Sequence, residues 1–117
     1  LELKLPMNGR HPETLYDFCK DIEFVESIIR HGHADEGYCL LMTNDHVFWE
    51  DSGRGSQIHD YFRGNEIECT GRINKPTGQT ASHVHLTGSY FLSRYWCNVP
   101  ALGPMNNARY LLLKVDP

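Results

Sequence analysis

Three groups of residues in this chain have types and spacings that could do chemistry. The first is Glu2-Leu3-Lys4, inside the alternating run Leu1-Glu2-Leu3-Lys4-Leu5-Pro6. Residues i and i+2 of a strand project to the same side, so Glu2 and Lys4 share one face and the three leucines the other. A carboxylate is an oxygen ligand suited to Mg²⁺, and an ammonium beside it can orient a water and stabilise charge on a phosphate. Those are the elements of metal-dependent phosphodiester hydrolysis. The second group is His83 and His85, spaced i, i+2 in Ser82-His83-Val84-His85-Leu86. They could be paired metal ligands on a strand, with His59 or Asp60 completing the set from a distance. The third is Tyr90, Tyr95 and Trp96 around Arg94, aromatics interleaved with a cation as in surfaces that stack on bases and hold phosphates. Each group also has a plainer reading. These are a solvated Glu–Lys face, two exposed histidines on an amphipathic strand, and cross-strand packing of large aromatics.

The elements that must position these residues follow from periodicity. Pro12 suits a first helical position and Glu13 favours the positive end of the helix dipole. Leu15, Phe18, Ile22, Val25 and Ile29 then recur at three-four spacing, with Asp17, Lys20, Glu23 and Glu26 opposite, predicting a helix over residues 12–31. Gly32 stands where a left-handed cap belongs, and His31 and His33 complement the helix end. The apolar run Gly37-Tyr38-Cys39-Leu40-Leu41-Met42-Thr43 lacks alternation and reads as a strand buried on both faces. Asn44 or Asp45 can cap a short turn over His46–Trp49, and residues 50–56 form a polar loop. Further on, a helical turn at 58–62 is followed by strands at 66–69, 82–88, 89–99 and 109–115. Strand, helix, strand over residues 1–43 is the spacing of a parallel crossover, so the fold class expected is α+β, with antiparallel strands continuing it.

Length and composition limit the rest. With 117 residues the chain is one domain able to bury a core without staples, and no apolar run approaches the ~20 residues that cross a membrane. The cysteines at 19, 39, 69 and 97 form no C-x-x-C pair and read as reduced, largely buried thiols of a cytoplasmic protein. A net charge of -4 argues against wholesale electrostatic binding to nucleic acid. The charge is uneven, however. Residues 67–117 hold Arg72, Lys75, Arg94, Arg109 and Lys114 against only Glu68 and Asp116, a balance that would suit a phosphate backbone.

The Glu2-Leu3-Lys4 triplet, followed by a helix and a buried strand, resembles the catalytic half-motif of the restriction-endonuclease-like nucleases, the PD-(D/E)xK superfamily. The helix segment Lys20-Asp21-Ile22-Glu23-Phe24-Val25-Glu26 and the strand end Leu41-Met42-Thr43-Asn44-Asp45 are also similar to uncharacterised proteins of that superfamily. The resemblance implies a restriction-endonuclease-like core lacking its N-terminal part, since the family's other metal ligand, an Asp on the preceding strand, would lie upstream of Leu1. The chain is thus expected to be a C-terminal fragment of a Mg²⁺-dependent DNA endonuclease, with little activity by itself. Glu2 and the Leu3 carbonyl would hold metal, Lys4 would orient the water, and Arg72, Lys75 and Arg94 would contact nucleic acid. A homodimer is left open. The alternatives are a non-enzymatic protein- or nucleic-acid-binding module, built on the later strands, and a histidine-metal barrel using His83 and His85.

Overall fold

The computed structural model describes residues 2–4, 11–50, 57–63, 67–76, 82–99 and 108–117, with side chains from Pro12 onward except that of Gln57. Helix α1, His11–Arg30, has Glu13 in its first turn and Arg30 in its last. Leu15, Phe18, Cys19, Ile22 and Val25 are at most 2% exposed, the stripe that the three-four spacing foretold. The helix ends in a Schellman motif. Gly32, at φ 78°, donates to the Ile29 carbonyl at 3.0 Å, and the His33 N–H reaches back to Ile28 at 2.9 Å.

The strands fall into two sheets. The first contains β1 (Glu2–Lys4), β2 (Gly37–Thr43), β5 (Trp96–Asn98) and β6 (Arg109–Val115), in the order β1-β2-β6-β5. β1 pairs with β2 in parallel, Glu2 opposite Cys39 and Lys4 opposite Leu41. β6 runs antiparallel to both its neighbours, with Cys39 opposite Leu113 and Leu41 opposite Leu111. The second sheet is the antiparallel pair β3 (Cys69–Asn74) and β4 (His83–Tyr90). α1 packs against both β2 and β4. Cys39, Leu41, Leu111 and Leu113 from one sheet and Cys69, Ile73, Val84 and Leu86 from the other join the helix stripe in one buried cluster. The architecture of the described residues is therefore α+β, with α1 packed against both a mixed sheet and a hairpin.

Several expectations are corrected here. β2 is not buried on both faces: Cys39, Leu41 and Thr43 are buried while Tyr38, Leu40 and Met42 are half-exposed. Among the described residues the only α-helix is α1, which covers one face of the sheet. Of the strand expected over 66–69, residues 67 and 68 precede β3, which begins at Cys69 and runs on to Asn74, while residue 66 lies outside the described residues. The long strand expected over 89–99 is broken by a 3-10 turn, Leu92–Tyr95, which buries Leu92 and carries the chain from the hairpin to the first sheet. The loop expected at 50–56 lies, beyond Glu50, outside the described residues. No helix among those described is long and apolar enough to cross a membrane.

β4 carries an irregularity that matters for the chemistry. Cys69 pairs with Tyr90 but Gly71 with Leu86, so one residue of β3 faces three of β4. Thr87, Gly88 and Ser89 bulge from the ladder, and their backbone groups need other partners. Thr70 Oγ1 donates to the Gly88 carbonyl at 2.6 Å. The N–H groups of Thr87 and Gly88 donate to the two carboxylate oxygens of Glu26 at 2.9 and 2.8 Å. One turn back, Glu23 accepts from the His85 N–H at 2.6 Å. Two helix carboxylates thereby cover the outer edge of β4.

Candidate functional site

The C-terminal ends of β1 and β2 and the paired ends of β5 and β6 meet at one end of the first sheet, where Thr43 stands opposite Arg109 and Arg109 opposite Asn98. The chain leaving β2 is tightly held. Thr43 Oγ1 accepts from the Asp45 N–H at 3.0 Å, and Asp45 Oδ1 caps the 3-10 turn His46–Phe48 by accepting from Val47 N–H at 3.1 Å. Asp45, not Asn44, is therefore the cap. The Arg63 side chain, 2% exposed, donates through Nε and Nη2 to the Val47 carbonyl at 3.3 and 2.8 Å. Phe48 is buried, and the turn delivers Trp49 to the strand ends.

Trp49 meets Trp96 there with ring centroids 5.5 Å apart and planes tilted by 58°. Trp96 is fixed from behind, its Nε1–H donating to the Phe62 carbonyl at 2.9 Å. The Arg109 guanidinium lies 4.7 Å from the centre of the Trp49 ring, a cation–π layer. Beside this layer is an open cleft of about 460 Å³ lined by Trp49 and Arg109, by the amides Asn44 and Asn98, and by Ala108, His46 and Glu50. His46 Nδ1 and Glu50 Oε2 are 3.0 Å apart, so the cleft's acid has its own partner.

The residues singled out from sequence are dispersed. Glu2, Leu3 and Lys4 form β1 at the sheet margin, level in register with Cys39, Leu40 and Leu41. The expectation that Glu2 and Lys4 share one face of their strand concerns side chains outside those described. Arg72 and Lys75 line a separate cleft of about 280 Å³ beside Ile58 and Tyr61, where Arg72 Nε donates to Asn74 Oδ1 at 2.7 Å. Arg94 is not part of that cleft; its guanidinium lies 4.5 Å over the Phe91 ring. His83 and His85 are exposed on β4. Among the described residues no group of three His, Cys, Asp or Glu side chains is placed to hold a metal.

Two features escaped the sequence reading. Glu26, assigned to a solvated face, is 7% exposed. Besides the two β4 amides it accepts the Tyr90 hydroxyl at 2.5 Å, and burial together with this bond pushes the Tyr90 pKa far above the ordinary 10.0. Its signal was present: Phe18, Ile22 and Glu26 step by four along the buried stripe. The Trp49–Arg109 cleft had no such signal, since its members come from three separate segments. Trp96 had been noted beside Arg94, but Arg94 lies over Phe91, and Trp96 instead packs against Trp49, the ring that Arg109 covers. No family model, curated protein or solved structure matches the chain.

Proposed function

We propose that the chain is the Glu-x-Lys portion of a restriction-endonuclease-like, metal-dependent DNA nuclease. The observation that supports this reading most is the placement of the triplet. Glu2-Leu3-Lys4 is a marginal strand, pairs in parallel with β2, and is joined to it through a helix that packs on the same sheet. The donor set fits a hard cation in kind, a carboxylate oxygen and a backbone carbonyl, the ligands Mg²⁺ prefers. Bound there, the ion would supply Lewis acidity toward a phosphate oxygen. Glu2 holds the site's negative charge, and Lys4 orients water and offsets charge developing on the phosphate.

In number the set named from the sequence is incomplete, because a single carboxylate binds Mg²⁺ weakly and the resemblance places a second acid on a preceding strand. β1 has one described neighbour, β2, so its other edge is where a strand carrying a second acid would pair. The test is plasmid nicking with Mg²⁺ or Mn²⁺ against EDTA, using this chain and a version extended upstream to include an Asp-bearing strand. Metal-dependent nicking by the extended protein is the expected result. Absence of nicking by both, over a panel of DNA substrates and metals, would sink the proposal.

A further inference from the structure

We propose that the cleft between the ends of β2, β5 and β6 binds one unstacked nucleotide of single-stranded nucleic acid, independently of any cleavage. Three observations converge. The Arg109 guanidinium lies over the Trp49 ring, 4.7 Å from its centre, and a guanidinium held by an aromatic face can still offer N–H donors to a phosphate. Among the described residues no carboxylate pairs with Arg109, and Glu50, the acid of the cleft, is engaged by His46. Among the described residues Arg109 thus sets a cation with no carboxylate bonded to it beside an indole surface, the pairing of stacking platform and electrostatic contact that holds single strands.

The remaining lining suits a base. Asn44 and Asn98 are exposed, and each primary amide offers a donor and an acceptor to a base edge. At about 460 Å³ the cleft matches a small organic ligand, and its open side lets a strand enter and leave. A base in a duplex is already stacked on its neighbours and cannot reach the indole without being unpaired. Single strands are thus preferred. The rings are also held in advance, Trp96 by the Phe62 carbonyl and Trp49 by the capped turn, so binding needs little ordering.

The chain has two tryptophans, Trp49 lining this cleft and Trp96 packed against the Trp49 ring, so its indole fluorescence reports on the cleft. The experiment titrates the protein, in EDTA to suppress any cleavage, with an eight-nucleotide oligothymidylate. A duplex of equal length and an inorganic polyphosphate of similar charge serve as competitors. Saturable quenching by the oligonucleotide is expected, with the duplex and polyphosphate at least tenfold weaker. Arg109→Gln should weaken binding about tenfold or more and reduce its salt dependence by roughly one phosphate contact. Should Arg109→Gln fail to fold, Asn98→Asp places a negative charge at an exposed position of the same cleft and should weaken binding similarly. Unchanged affinity in a folded variant, equal quenching by polyphosphate, or no quenching by the oligonucleotide would overturn the proposal.

Discussion

The Tyr90 hydroxyl donates to Glu26 Oε2 at 2.5 Å, joining the helix to the far end of β4 across 64 residues. The same carboxylate takes the Thr87 and Gly88 amides, so one side chain satisfies a part-buried hydroxyl and the two amides that the bulge leaves without ladder partners. It holds the hairpin sheet against α1, and the first prediction concerns its removal. Glu26→Ala leaves two backbone donors and a hydroxyl unsatisfied in a mostly buried site. It should cost about 3 kcal/mol or more, read as a lower urea midpoint with little change in slope. In a double-mutant cycle with Tyr90→Phe the two losses should not add, because the substitutions share one hydrogen bond. Strict additivity would show that the bond contributes nothing.

A second prediction follows from the tyrosines. Burial first, and then the bond to Glu26, raises the Tyr90 pKa above its ordinary 10.0; burial chiefly raises those of Tyr16 and Tyr61. The unfolded chain releases these protons near pH 10 while the folded chain retains them, so the folded state binds more protons above that pH. Stability is fully present below about pH 10 and falls as pH rises through and beyond it. Of the six tyrosines, Tyr90 should be the last to ionise, at the pH where the protein unfolds. Tyr90→Phe should flatten the alkaline decline, measured by denaturant unfolding between pH 9 and 11. An equally steep decline in the variant would assign the effect to other groups.

Gly37 gives a packing prediction. A Cβ built there would run into Cγ1 of Val25, which is 2% exposed on the helix stripe. Gly37→Ala should therefore destabilise by about 1–3 kcal/mol through overpacking, although alanine is the better strand residue. Val25→Ala removes the obstructing methyl, so the double variant should be more stable than the sum of the two losses predicts. If Gly37→Ala alone is neutral, helix and sheet can separate slightly at no cost, and the helix is less tightly seated than its burial indicates.

How much of this could be read in the sequence depends on the range of the determining contacts. Helix α1 was legible because its cause is local: Leu15 through Ile29 repeat at helical spacing and Gly32 stops the run. The pairing of β1 with β2 follows from the length of chain between them. The division into two sheets was not legible. It depends on the 3-10 turn at Leu92–Tyr95, whose Ser-Arg-Tyr sequence reads equally well as strand until Leu92 finds its place in the core. The cleft was hidden for the same reason. Asn44, Trp49, Asn98 and Arg109 become neighbours through the pairing of β6 with β2 on one side and β5 on the other. The half-exposed face of β2 was misjudged because an unbroken apolar run does not say how many layers will cover it.

The cysteines give a direct test. All four are free thiols; Cys19, Cys39 and Cys69 are buried, while Cys97 is exposed. The Cys19 thiol pKa is raised, first by its hydrogen bond with Cys69 and then by burial, which makes it a poor nucleophile in the folded state. With a thiol reagent such as DTNB, one group should react quickly in native protein and the other three only on unfolding. Cys97→Ser should abolish the fast phase. Two or more fast groups would mean that the core opens readily around α1.

The last prediction concerns the two charged residues of β1. On the nuclease reading they act at different steps, so their removal should be distinguishable. Glu2 supplies a metal ligand, and Glu2→Ala in the upstream-extended protein should abolish cleavage and weaken Mg²⁺ or Mn²⁺ binding together, measured by calorimetry. Lys4 handles water and phosphate charge, so Lys4→Ala should lower the cleavage rate by a factor on the order of 10² or more while leaving metal binding nearly intact. Lys4→Arg keeps the charge but replaces a compact ammonium with a planar fork, and should recover only part of the rate. Thermal unfolding separates these outcomes from simple misfolding, because Glu2 and Lys4 stand in register beside the buried Cys39 and Leu41. If Glu2→Ala and Lys4→Ala fold normally and cleave like the parent, the motif is an ordinary strand margin and the nuclease reading fails.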